Sequence, residues 1–107
     1  MVSIKKYVLS KRAEKDINEI VSYIYKDNQK SAVNVLRSIR SSCSLVGRMP
    51  LIGRTAEDVN SKDLHYLPVE KYSDYLIFYI LIKNKPLIVR VLHAKRSIPT
   101  IMEKWYK

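Results

Sequence analysis

Tyr75-Leu76-Ile77-Phe78-Tyr79-Ile80-Leu81-Ile82 is the longest apolar run in the chain. It is rich in β-branched and aromatic residues, and far shorter than the roughly 20 residues a membrane helix needs. A run apolar at both odd and even positions reads as a central strand covered on both faces. Two further runs flank it, Leu64 to Glu70 before and Leu87 to His93 after, separated by Lys71-Tyr72-Ser73-Asp74 and by Lys83-Asn84-Lys85-Pro86. Links this short between consecutive strands predict an antiparallel meander.

Upstream, the period changes from strand to helix. Ser10 can accept hydrogen bonds from the free amides of a helix starting at Lys11. Ala13, Ile17, Ile20, Val21 and Ile24 then recur at helical spacing, with Arg12, Glu14, Lys15, Asn18 and Glu19 on the other face. Asp27 to Ser31 is a polar break. A second stripe follows in Ala32, Leu36, Ile39, Cys43 and Val46, closed by Gly47 and by Pro50 beyond it. Two amphipathic helices joined by a short link must pair their stripes, which predicts an αα-hairpin lying on the sheet. Lys5 to Leu9 reads as a first strand, Arg48 to Asp63 as a long loop, and Thr100 to Tyr106 as a short last helix after a Ser97 cap, carrying Ile101, Met102 and Trp105. The expected fold is α+β, in the order β-α-α-β-β-β-α over a single domain spanning residues 1–107, with the helical hairpin packed on an antiparallel sheet.

The chain has 107 residues, with 20 Lys and Arg against 10 Asp and Glu, a net charge of +10. So basic a domain attracts anions, either nucleic acid or an acidic protein. A single cysteine, Cys43, allows no internal disulfide, and MVSIKKYVLS lacks the pattern of a secretory signal, so the expected location is the cytoplasm, without membrane attachment. Cys43 sits on a helical stripe and reads as a buried, inert thiol. No Ser-His-Asp set, glycine-rich phosphate loop or Cys/His metal spacing occurs, so neither a catalytic set, nor a metal site, nor a cofactor is expected. His93 has the chemistry of a general acid or base, but a structural histidine ending a strand is the simpler reading, and His65 reads as structural too.

Four strings, in order, carry a resemblance: Tyr7-Val8-Leu9-Ser10 with Ala13, Pro50-Leu51-Ile52-Gly53-Arg54, Tyr75-Leu76-Ile77-Phe78-Tyr79, and Arg90-Val91-Leu92-His93-Ala94-Lys95-Arg96. Together they resemble the RelE/ParE superfamily of toxins from type II toxin–antitoxin systems, and the last is especially similar to the ParE branch. The resemblance implies a toxin serving plasmid maintenance or stress response, neutralised by a cognate acidic ParD-like antitoxin in a hetero-oligomer, and touching operator DNA only through that complex. RelE-like members cut messenger RNA on the ribosome, whereas ParE-like members poison DNA gyrase and so block replication.

Metal-free RNA cleavage needs positioned cations and proton-transfer groups. The resemblance places Leu67, Val69 and Leu76 where a RelE-like toxin carries strand cations, leaves Arg96 as the matching arginine, and puts Met102 where the functional tyrosine would stand. It therefore implies a binding protein directed at gyrase, with the ribosome and mRNA as the alternative target and a toxin inactive except as a repressor partner as a third reading. The residues expected to meet the target are Arg90, His93, Lys95 and Arg96, with Arg54 and Trp105. Tyr23, Tyr25, Val33 and Val35, off the main helical stripes, are expected to lie exposed until the antitoxin covers them.

Overall fold

Ser10 begins the folded framework. Its hydroxyl accepts the amide of Ala13 (3.0 Å) and donates to the carbonyl of Val89 (3.1 Å), while its own amide donates to Ile88 (2.9 Å). One residue thus caps a helix and ties it to a strand almost at the far end of the chain. The computed structural model describes residues 7–55 and 64–95; the expected last helix, Arg96 and Trp105 lie outside them.

Strand β1 (Val8–Leu9) leads into helices α1 (Lys11–Asp27) and α2 (Gln29–Arg48). The break between them is tighter than Asp27 to Ser31 suggested. Asn28 alone closes α1, its amide donating to Ile24, and opens α2, its side chain accepting from Ser31. Gly47 does not end α2: it is buried inside the last turn, and the helix stops at Met49 because the residue before a proline leaves helical geometry.

Four more strands follow, β2 (Arg54–Thr55), β3 (Leu64–Val69), β4 (Tyr72–Ile82) and β5 (Lys85–His93). β3, β4 and β5 form the expected antiparallel meander with β4 central. Lys83 and Asn84 both adopt positive φ, the geometry that lets a two-residue turn follow the twist of its strands. Two features depart from the expectation. β2, inside the expected loop, pairs antiparallel with β3, and β1 pairs with β5 in parallel, making a mixed sheet of order β1-β5-β4-β3-β2. Strands of two residues carry no period for a sequence reading to detect.

The helices cover one sheet face. Ala13, Ile17, Val35, Ile39, Cys43 and Val46 meet Val69, Ile77, Tyr79, Ile88 and Val91 there. The opposite face gathers Leu64, Phe78, Val89 and Leu92. β4 is thus buried on both sides, as its unbroken apolar run requires.

Candidate functional site

Arg90 follows a register shift in the β4–β5 pairing. It is not the surface cation expected from its place in a basic C-terminal stretch: it is 3% exposed, and Asp16 of α1, the acid facing it, is 5% exposed. Arg90 Nε donates to Asp16 Oδ2 at 2.7 Å and Nη2 to Oδ1 at 3.0 Å, while Oδ2 also accepts the amide of Val91 at 3.1 Å. The planar guanidinium and carboxylate meet fork to fork. β1 has turned away into α1 by this point, so the Asp16 carboxylate takes the place of a strand partner for the Val91 amide. Asp16 was missed, although it falls on the stripe between Ala13 and Ile20.

Lys95 is exposed beyond β5, and its amide donates to Nδ1 of His93 (3.1 Å), which therefore carries its proton on Nε2. The imidazole meets the Tyr75 ring edge-on, with centroids 5.1 Å apart. His93, Tyr75, Tyr23, Ile20 and Glu19 line a cleft of about 360 Å³ between α1 and the sheet. His65 stacks on Tyr79 within the sheet.

At the other end of α2, Arg54 is exposed in β2, next to a loop built on Tyr79. The Tyr79 hydroxyl donates to the carbonyl of Pro50 (2.8 Å) and accepts the amide of Gly53 (2.9 Å). A Cβ at residue 53 would run into the Tyr79 ring and come within 2.9 Å of the Tyr66 carbonyl, so only glycine permits this approach. Burial pushes the Tyr79 phenol above its ordinary pKa, partly offset by the Gly53 bond. Burial also lifts the Cys43 thiol to about 12, as an inert core cysteine requires.

Of the residues expected to await an antitoxin, Tyr23 (74% exposed), Tyr25 and Val33 are open to solvent. Val35 is not: at 2% exposure it belongs to the core, because it stands three residues after Ala32 and four before Ile39, on the same helical face. Leu67 and Val69 pack on the helix side of the sheet and Leu76 on the other. Apart from Lys85 at the tip of β5, the only Lys or Arg in β3, β4 and β5 is the buried Arg90. Among the described residues no group of three or more His, Cys, Asp or Glu could hold a metal ion, and no helix is long and apolar enough to cross a membrane.

These features define a small α+β domain whose sheet offers no free cation cluster among the described residues and whose helices leave apolar side chains in water. The description "ParE toxin of type II toxin-antitoxin system, parDE" matches residues 7–98, and the chain belongs to that family. Among solved structures it is similar to the chromosomal ParDE toxin–antitoxin system of P. aeruginosa, at 14% identity and a TM-score of 0.69, covering 84% of this chain and 98% of that one. No curated protein matches the sequence.

Proposed function

We propose that this ParE-family toxin acts by binding DNA gyrase and trapping it on cleaved DNA, and that an acidic ParD-like antitoxin neutralises it. The observation that carries the target is the occupied Arg90. A guanidinium held by Asp16 through two hydrogen bonds is not available to a phosphate in transit, and Leu67, Val69 and Leu76 can neither donate to one nor relay a proton. RNA cleavage needs both. Purified gyrase with DNA and ATP should accumulate protein-linked double-strand breaks as toxin is added, while translating ribosomes show no new A-site cuts. Codon-specific cuts with gyrase unaffected would overturn the proposal.

The antitoxin reading rests on charge and on exposed apolar surface. A chain of net charge +10 suits an acidic segment that folds as it binds, and Tyr23, Tyr25 and Val33 offer that segment its apolar contacts near the helix link. Replacing Tyr23 and Val33 together by Ser should weaken antitoxin binding about tenfold or more, with an unchanged melting temperature. Unchanged affinity in calorimetry would place the antitoxin elsewhere.

A further inference from the structure

The proposed toxin reading leaves one surface unused, the loop between α2 and β2. It holds three exposed apolar residues, Met49, Leu51 and Ile52, between Arg48 and Arg54, with no acid in the stretch. Leu51 is 78% exposed, more than any other large apolar residue among those described. This loop is nevertheless held fast. The buried Tyr79 hydroxyl binds it at Pro50 and again at Gly53, and the amide of Ile52 closes a turn onto Met49 (3.0 Å).

From this combination we infer that residues 48–54 form a rigid knuckle that docks into an apolar, acid-rimmed pocket on the folded protein the toxin attacks. Shape decides the kind of partner. An extended peptide lies in a groove, whereas a protruding side chain on fixed backbone needs a pocket, and only a folded partner supplies one. Fixing the loop beforehand removes the ordering cost of binding, which matters most when the partner cannot adapt. Charge decides the rim, since Arg48 and Arg54 flank the apolar tip and ask for carboxylates around the pocket.

A second copy does not fit. It would set like arginines together on chains of net charge +10, and three side chains fall short of the roughly 800 Å² per partner of a stable interface. The knuckle is also separate from the surface assigned to the antitoxin. Tyr23, Tyr25 and Val33 lie near Asn28, at the other end of a helix of 20 residues, about 30 Å away.

The test compares induced growth arrest by the full chain and by Leu51→Glu, with binding of each to the operon's antitoxin and to a short DNA duplex, and thermal melts of both. Leu51→Glu should need about thirtyfold more protein for the same arrest, at an unchanged melting temperature and antitoxin affinity. Leu51→Met should arrest normally, and removing both arginines should cost about two- to fivefold, more at low salt. Arrest lost in this pattern supports the knuckle whether or not gyrase is the protein attacked. Full arrest by Leu51→Glu overturns it, as does a parallel loss of antitoxin affinity. A parallel loss of duplex binding would overturn it in favour of an apolar wedge into DNA. If neither chain arrests growth, the toxin reading and this inference fall together.

Discussion

Arg90 and Arg54 are the same residue put to opposite uses. Arg90 lies in an apolar strand, its guanidinium closed off by Asp16; Arg54 stands in a two-residue edge strand beside Leu51 and points no partner inward. Burial makes the first a structural tie whose charge no ligand can use, and exposure leaves the second available. A basic count in a sequence is therefore not a basic surface. In this domain the cation in the stretch most similar to the family is the one the fold withdraws.

The comparison breaks most sharply if either half of the buried pair is removed. Asp16→Ala or Arg90→Ala leaves an uncompensated charge in the interior, and each should lower unfolding free energy by about 3–5 kcal/mol in urea titration. Any loss of toxicity in Arg90→Ala should then follow the fraction unfolded. An Arg90→Ala protein as stable as the parent, yet harmless, would return Arg90 to the contact surface.

A smaller effect separates the knuckle from the core beneath it. Tyr79→Phe removes one hydroxyl and leaves the Pro50 carbonyl and Gly53 amide without it, for about 1–2 kcal/mol of stability, and loosens the loop. Arrest should weaken by more than that stability loss explains. The same substitution reports on pH. Because burial raises the folded phenol above 10.0, its contribution to stability is complete below the unfolded value and is lost as pH rises through the folded one. Parent and Tyr79→Phe should therefore converge in stability in alkaline titration above about pH 10; a constant gap would mean the phenol is not desolvated.

The smallest effect belongs to Arg54. Arg54→Ala should change stability by no more than about 0.5 kcal/mol, as for an exposed residue with no buried partner. A loss comparable to that of Arg90→Ala would abolish the contrast between the two arginines.

Local signals carried the framework into the sequence. Ser10 before a periodic run, the two helical stripes and the two-sided apolar strand each state their structure within a few residues. What was illegible depends on distant partners. Asp16 and Arg90 are 74 positions apart, and nothing local marks either as half of a pair except an acid on an apolar stripe and a cation inside an apolar strand. β1 likewise gains its identity from β5. Val35 was misread for a different reason: the second stripe is wider than a single row of positions, so a residue between Ala32 and Ile39 is as buried as they are. The knuckle was visible as a string, Pro50 to Arg54, but its rigidity comes from Tyr79, a residue legible only as core.

The Ser10 junction has a consequence for synthesis. During translation the helical hairpin is made early and depends mainly on near neighbours, so it can condense while the chain is still growing. β1 cannot find its place until residues 87 to 89 have left the ribosome, because Leu87, Ile88 and Val89 are what Val8, Leu9 and Ser10 join. A prematurely terminated chain therefore has an unpaired leading strand and an Asp16 without its arginine. For a protein able to harm the cell that makes it, this postpones the finished surface to the end of synthesis, and broken messages yield fragments for proteolysis.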